Sequence, residues 1–414
     1  MKVLVIGSGG REHALAHKVS QSVHVEEVFV IPGNDAMTNV ATVVTAIAET
    51  DHEKIADFAV AEAIDWVIIG PEQPLTAGLA DVLKERGIKV FGPNKKAAQM
   101  EGSKSFAKQM MKHYNIPTAA YEMISTKEAA LAYIQEHSGP VVLKQDGLAA
   151  GKGVIVAMTE QEAVAAVHEF YKDGDTEVVF EEYLQGEEFS LMVFVNDDFI
   201  IPLDCVAQDH KRAFDGDTGP NTGGMGAYCP VAHIKEQTMK ETNERISYPI
   251  ARAMKEEGLH YFGLLYIGAI ITEEGPKVIE FNARFGDPEC QVLLTRLETD
   301  LMDIIFALEA KQDITLTWSA DTVVGVVLAA KGYPAAYDKG IKVEGYNGEL
   351  DYYVSGLKYE DGWKTAGGRV MLAVGSGGTV KDAVEASYQN AAKIKSDGLF
   401  YRTDIAHRAL KNNG

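Results

Sequence analysis

Glu280, Asn282 and Arg284 stand two residues apart, with Phe281 and Ala283 between them. Side chains alternate along a strand, so the three polar groups share one face and the two apolar ones take the other. A carboxylate beside an amide oxygen suits a hard divalent cation that also carries phosphate oxygens and water. An arginine one step further can hold a carboxylate or a transferred phosphoryl group. The competing reading is a half-exposed strand with a polar outer face. The glycine-containing run that follows, Phe285-Gly286-Asp287-Pro288-Glu289, favours a site.

Glycine-rich stretches supply further candidates. Lys144-Gln145-Asp146-Gly147-Leu148-Ala149-Ala150-Gly151-Lys152-Gly153 lies between two apolar runs and lacks the order of a P-loop. A hairpin with a lysine at its tip can close over nucleotide phosphates. Lys144 ends an apolar strand, where a buried ammonium is costly unless an anion meets it. The plainer alternative is a hairpin turn with one exposed lysine. Gly7-Ser8-Gly9-Gly10-Arg11-Glu12-His13 follows the first apolar run and opens a helix. Its backbone amides and the helix N-terminus favour a phosphate, with Arg11 as cationic partner; the alternative is a tight turn beside a solvated arginine. Glu12 occupies the last glycine position of the dinucleotide fingerprint, which argues against a nicotinamide or flavin site.

Thr218 to Gly226, preceded by Lys211-Arg212 and Asp215, carries four glycines. It reads either as a loop for close backbone approach to a substrate or as plain surface. Glu181 to Glu188 follows a short apolar strand and could offer backbone groups to an adenine edge and a carboxylate to a ribose. Acidic runs of this kind are more often solvated surface. No serine, cysteine and histidine pattern suggests a covalent nucleophile.

The scaffold expected to position these groups has three parts. Up to residue 101, apolar runs at Val3–Ile6, Val28–Ile31, Trp66–Ile69 and Lys89–Phe91 alternate with helical stretches, one opened by Thr50 and Glu53. Buried continuous strands separated by helices indicate a parallel α/β sheet. Residues 102–320 read as an α+β core. Capping boxes at Ser125/Glu128 and Thr159/Glu162 open two helices, and strands are expected at Val141–Lys144, Val154–Ala157, Glu188–Val195, Phe199–Val206, Leu264–Thr272 and Lys277–Asn282. Asp287-Pro288 is expected to cap one long helix reaching Ala310. Residues 321–414 read as a small α+β domain with strands Val323–Ala330, Tyr352–Leu357 and Arg369–Val374 and a helix from Thr379.

Composition narrows the class. Of 414 residues, 60 are acidic and 39 basic, a formal charge of −21 that repels nucleic acid and anionic membrane. An anionic substrate would need a local basic or amide site. The longest apolar run, Tyr261 to Ile271, is far short of the ~20 residues a membrane span needs. Three cysteines without a CxxC pair argue against a disulfide framework or structural zinc and for the cytoplasm.

Four motifs together carry a resemblance: Arg284 to Glu289, Gly9-Gly10-Arg11-Glu12-His13-Ala14, Asp146 to Gly153, and Asn221 to Gly226. The chain resembles the ATP-grasp superfamily over its whole length, and within it the phosphoribosylamine–glycine ligase family. The resemblance implies an amino-terminal parallel α/β domain, a central ATP-grasp fold with a mobile lid at about 121–188, and a small carboxy-terminal domain. It implies that ATP phosphorylates glycine and that the amine of 5-phosphoribosylamine attacks the acyl phosphate. Lys104 and Lys144 would contact the ATP phosphates, with Gly151, Lys152 and Gly153 as lid. Glu181, Tyr183 and Leu184 would edge the adenine and Glu188 the ribose. Glu280 and Asn282 would hold Mg²⁺ or Mn²⁺, and Arg284 would steady the acyl phosphate. Gly9, Gly10 and Arg11 would face the ribose phosphate, with Gly223 and Gly224 also on the substrate side and Asp215 opposite the glycine ammonium. A monomer is expected, with transient contacts to neighbouring pathway enzymes.

One departure stands out: many ATP-grasp enzymes place an acidic metal ligand on the strand before Glu-x-Asn, whereas Leu264 to Ala269 has no carboxylate. The alternatives are another ATP-grasp carboxylate–amine ligase, or a nucleotide-binding regulator without turnover.

Overall fold

The structure, a computed structural model, describes residues 1–148 and 153–412. Its first sheet is wholly parallel, in the order Thr42–Val43, Glu27–Pro32, Lys2–Gly7, Trp66–Ile69, Lys89–Phe91. Both faces are covered, which is why the strands read as unbroken apolar runs. Leu4 and Ile6 pack with Ile55, Leu75 and Leu83 from the adjoining helices. Val3 and Val5 point the other way, into a core shared with Phe194, Leu264 and Leu372. Each such side chain contributes about 1.5–3 kcal/mol by burial, so the shared core ties the first sheet to the rest of the chain.

The central region holds two antiparallel sheets. One runs Phe199–Pro202, Glu187–Asn196, Phe262–Thr272, Gly275–Asn282. The other runs Tyr121–Ile124, Val178–Glu182, Val141–Gln145, Val154–Ala157. Helices Lys127–Glu136 and Glu160–Phe170 cover the second sheet through Ala130, Ile134, Ala163 and Val167. The cleft lies between these sheets.

The last sheet runs Gln208–Asp209, Gly226–Cys229, Thr322–Ala330, Arg369–Gly377, Tyr352–Val354. Its first two strands come from the central region, so the loop between them is shared by central and carboxy-terminal parts. Among the described residues, no helix is long and apolar enough to cross a membrane.

Local signals differ from expectation in identifiable ways. Thr159 caps its helix with Glu162 completing the box. The helix expected from Thr50 starts one residue later, capped by Asp51, whose carboxylate also forms an ion pair with Lys54 Nζ at 2.6 Å that a neutral hydroxyl would not supply. Thr126 rather than Ser125 accepts the capping bond, from Ala129 N. The strand from Phe199 stops at Pro202, which has no N–H to give. Tyr352–Val354 and Leu357–Tyr359 are separate strands. The single long helix is two, Glu289–Arg296 and Leu301–Ala310. Asp300 starts the second by accepting from Met302 N at 2.9 Å. Asp287 caps neither; it accepts from Gln291 Nε2 at 2.8 Å and pairs with Arg369 at 3.3 Å.

Candidate active site

A cleft of about 1110 Å³ is lined from all three regions. The strand Gly275–Asn282 brings Glu280 and Asn282 to its wall; Phe281 and Ala283 are buried in the core, as the alternation requires, although Phe281 also borders the cleft. Lys211 Nζ lies 3.7 Å from both Glu280 and Glu188. Burial pushes the Glu280 carboxyl up, but Lys211, Lys144, Arg284 and Lys104 outweigh it and hold the group below the usual range. The donor set is one ionised carboxylate and one amide oxygen, which fits a hard divalent cation. On the neighbouring strand the residue opposite Glu280 is Gly268, whose place a Cβ could take only 3.1 Å from Glu280 Cγ. A side chain there would press on Glu280, so the donors this strand pair offers are Glu280 and Asn282.

Lysines line the other wall. Lys144 is buried, donates to the Ile279 carbonyl at 2.9 Å and lies 3.0 Å from Glu181. The anion met by this inward lysine is therefore a carboxylate of the chain itself. Lys108 reaches the same Glu181 at 3.2 Å from the opposite side, and donates to Thr118 Oγ1 at 2.8 Å. Burial pulls Lys108 down to about 8, with Glu181 partly restoring it. Lys104 and Lys108 are one turn apart on the helix Lys104–His113, whose amphipathic spacing puts both toward the cleft. Lys104 Nζ donates to the Gly147 carbonyl at 2.8 Å. Asp146 accepts from Lys104 N at 2.6 Å and from Ser105 Oγ at 2.7 Å, fastening the loop after Val141–Gln145 to that helix.

Glu181 is buried, so the solvated reading of the acidic run fails there, although Glu182, Gln185 and Glu188 are exposed. Tyr183, Leu184, Glu188 and Gly153 line the cleft. Gly151 and Lys152 lie outside the described residues.

Arg284 is clamped. Its Nη2 meets Glu101 at 2.7 Å and its Nε lies 3.3 Å from Glu72. Both acids precede the Glu-x-Asn strand by far in sequence, so spacing could not reveal them. Glu101 also accepts from Ala283 N at 2.8 Å, fixing the strand end that carries the arginine.

The substrate-side candidates are held by partners within the chain. The Gly9 amide is taken by Glu12 Oε2 at 2.7 Å and the Gly10 amide by Ser355 Oγ at 3.0 Å, and neither glycine lines the cleft. Glu12 thus fills the helix N-terminus that a phosphate was expected to use. Arg11 does line the cleft, but pairs with Glu12 at 2.5 Å and donates to the Phe285 carbonyl at 3.1 Å. Asp215 sits in the hairpin Arg212–Asn221, outside the cleft, where Thr403 N donates to it at 2.8 Å. Gly223 lines the cleft, its N–H on Tyr333 Oη at 3.0 Å and its carbonyl on Arg369 at 2.8 Å. Gly224 is buried behind it, against Asp209 and Pro288. Asp209, Lys211, Glu289 and Arg369 line the cleft and were not singled out from sequence. Lys211 stood in the sequence as part of the basic pair before the glycine loop and Glu289 as the end of the Arg284–Glu289 motif; Asp209 and Arg369 gave no signal.

Three family models match in order. They are the amino-terminal domain of phosphoribosylglycinamide synthetase over residues 1–101, its ATP-grasp domain over 102–290 and its C domain over 323–408. Curated phosphoribosylamine–glycine ligases are similar across the full length. That of Halalkalibacterium halodurans is 50% identical, covering 99% of this chain and 97% of its own; that of Streptococcus pneumoniae is 46% identical, covering 99% and 100%. The crystal structure of phosphoribosylamine–glycine ligase from Thermotoga maritima superposes with a TM-score of 0.84 at 34% identity, covering 98% of this chain and 100% of that one. A biotin carboxylase domain from Hydrogenobacter thermophilus shares the fold, with a TM-score of 0.71 at 17% identity over 97% and 91% of the two chains. With every region matched in order and half the residues identical to a full-length relative, the chain belongs to the phosphoribosylamine–glycine ligase family, the phosphoribosylglycinamide synthetases of the ATP-grasp fold.

Proposed function

We propose that the cleft joins glycine to 5-phosphoribosylamine at the expense of ATP, through a glycyl phosphate, to give glycinamide ribonucleotide, ADP and phosphate. The chain is an ATP-dependent ligase of purine biosynthesis by its family; the intermediate, the metal and the residue roles are our reading. The observation that carries it is one cleft lined by Lys104, Lys144, Glu280, Asn282 and Arg284, close enough that all three cations hold the Glu280 carboxyl down.

A carboxylate resists amines until it is activated, and phosphoryl transfer needs alignment and neutralised charge more than a covalent nucleophile. Lys144 and Lys104 hold the ATP phosphates, Lys144 leaving Glu181 to Lys108 as it does so. Glu181, Tyr183 and Leu184 border the adenine and Glu188 the ribose. Glu280 and Asn282 are the residues that would hold Mg²⁺ or Mn²⁺; such an ion screens the negative charge of the phosphate oxygens. Arg284, held by Glu101 and Glu72, presents a fixed cation to the acyl phosphate. The lid is the subdomain of about residues 121–188, which Asp146 ties to the helix Lys104–His113. Parts 1–101, 102–320 and 321–414 act as one unit around the cleft, in a monomer of the cytoplasm.

ADP release with Mg-ATP, glycine and freshly generated phosphoribosylamine, omitting each in turn, tests the reading. ADP formed only with all three, with glycinamide ribonucleotide as product, is the expected result. Turnover with a different acid or amine would discard the substrates and keep the ATP chemistry.

A further inference from the structure

Asp209 ends the short strand Gln208–Asp209 and lines the cleft. Its Oδ1 is shut off from solvent and accepts no hydrogen bond among the described residues. Glu289 also lines the cleft, is buried, and uses one oxygen to accept from Ser190 Oγ and Tyr266 Oη, both at 3.0 Å. Burial, reinforced by the Glu289 charge, pushes the Asp209 carboxyl well above its usual range. The nearby cations have partners of their own. Lys211 lies between Glu188 and Glu280, and Arg369 donates to the carbonyls of Gly223 and Asp287, both at 2.8 Å, beside the Asp287 carboxylate.

Two glycines make room for these acids. A Cβ on Gly224, which has φ +117°, would lie 2.7 Å from Asp209 Oδ1 and 2.4 Å from Pro288 Cδ. A Cβ on Gly286 would lie 2.6 Å from Glu289 Oε2. A dehydrated carboxylate with an unused lone pair is costly to the empty protein, and a cation with several N–H donors relieves that cost. Lys211, two residues on in the same cleft, contacts Glu280, so the acid lies near the end where phosphoryl transfer is placed.

We propose that Asp209, with Glu289 beside it, receives the α-ammonium group of the amino acid substrate, and so selects an amino acid over a carboxylic acid without an amine. This rests on the ligase reading above and replaces Asp215, which the fold turns away from the cleft, in that role.

The test is Asp209→Asn in the full chain, a change of charge at nearly constant shape. Loss of one charge-assisted hydrogen bond predicts a glycine KM raised about 10- to 150-fold. The KM values for ATP and phosphoribosylamine should stay within about twofold, since neither substrate is assigned to this group. Calorimetry of glycine binding, with a non-hydrolysable ATP analogue and Mg²⁺ present, should show the same loss. The preference for glycine over glycolate in kcat/KM should shrink by a similar factor. Thermal unfolding of the variant at or above the wild-type temperature would show that it folds, because a buried carboxyl disfavoured by its surroundings has become a neutral amide. An unchanged glycine affinity overturns the proposal, and so does an equal loss for all three substrates. Wild-type protein that ignores glycine but turns over another α-amino acid refutes the glycine reading, and the variant is then scored on that amino acid. Wild-type turnover of an acid lacking an amine overturns the Asp209 assignment itself.

Discussion

Lys144 and Lys108 meet one carboxylate, that of Glu181, from two sides, and comparing them separates phosphate binding from structural support. Their distances to Glu181 are 3.0 and 3.2 Å, and their side chains are 7% and 3% exposed. At an effective dielectric of about 20, Coulomb's law gives roughly 5.5 and 5.2 kcal/mol for the two attractions before desolvation is counted. As counter-ions to Glu181 the two lysines are nearly equivalent. Replacing either by methionine leaves Glu181 the other lysine, so each variant should lose a similar amount of stability, about 1–3 kcal/mol. With an unfolding entropy of about 2.1 cal/mol/K per residue over 414 residues, that corresponds to a Tm lowered by about 1–4 °C in both.

Catalysis should separate them. Lys144 ends the strand Val141–Gln145 and reaches to the carbonyl of Ile279, next to Glu280. Lys108 is turned toward Thr118 and lies 5.4 Å above the Tyr121 ring. A cation lost from the charge-developing centre costs about 10²- to 10³-fold, so Lys144→Met should lower kcat/KM for ATP by that much. Lys108→Met should lower it by less than about tenfold. ADP release and thermal unfolding measured on both variants supply the comparison. Equal losses of activity at equal losses of Tm would refute the reasoning, showing Lys144 to be one more counter-ion of Glu181.

Glu280→Ala should lower turnover by about 10²- to 10³-fold while nucleotide affinity measured without divalent cation is kept; near-normal turnover would remove the metal assignment. Stability should also respond to acid through His13, whose Nδ1 accepts from Val354 N at 3.0 Å and joins the first helix to the last sheet. Burial pulls this imidazole down to about 4. The folded value lies below the unfolded one, so the contribution is present above about pH 6.5 and is lost as pH falls toward 4. Its full size is on the order of 3 kcal/mol. Urea unfolding of wild type and His13→Gln at pH 7.5 and 4.5 checks this: the difference between them should shrink in acid, and a constant difference would sink the idea.

What could be read from sequence was whatever depends on neighbours along the chain. Strand alternation put Glu280 and Asn282 on one face, and the same pattern holds in the structure. Four buried apolar runs were enough to indicate the parallel sheet, because only a strand covered on both faces lacks polar positions. Groups whose partners come from other elements were not legible. Arg284 could be recognised as a cation on the right face, but Glu72 and Glu101 lie outside any local pattern. Sequence alone leaves the Gly9 and Gly10 amides without an acceptor, because Ser355 is far along the chain and Glu12 stands where the dinucleotide fingerprint has a glycine. Asp215 stands beside a glycine loop in the sequence. The hairpin instead turns it toward Thr403, and Asp209, before the loop, faces the cleft.

The same pairing explains how a chain of net charge −21 can build a site for a polyanion. Each basic group described in the cleft has an acceptor within the protein: Lys144 and Lys108 on Glu181, Lys104 on the Gly147 carbonyl, Lys211 between Glu188 and Glu280, Arg284 on Glu101 and Glu72, Arg369 on Asp287, Arg11 on Glu12. Cations clustered without such partners would repel one another and bind any phosphate. Paired, they hold fixed positions in the empty cleft, and a ligand must offer more than charge to displace the resident carboxylate. In the proposed mechanism ATP does so at Lys144, and Lys108 stays behind to satisfy Glu181. Arg284 has no such relay, since both of its acids would be stranded, so it should act without letting go. Glu101→Gln ought therefore to change the position of Arg284 rather than its charge. Its signature would be a lowered kcat with the ATP KM nearly unchanged, and a raised ATP KM at constant kcat would show that Arg284 is a ground-state phosphate ligand instead.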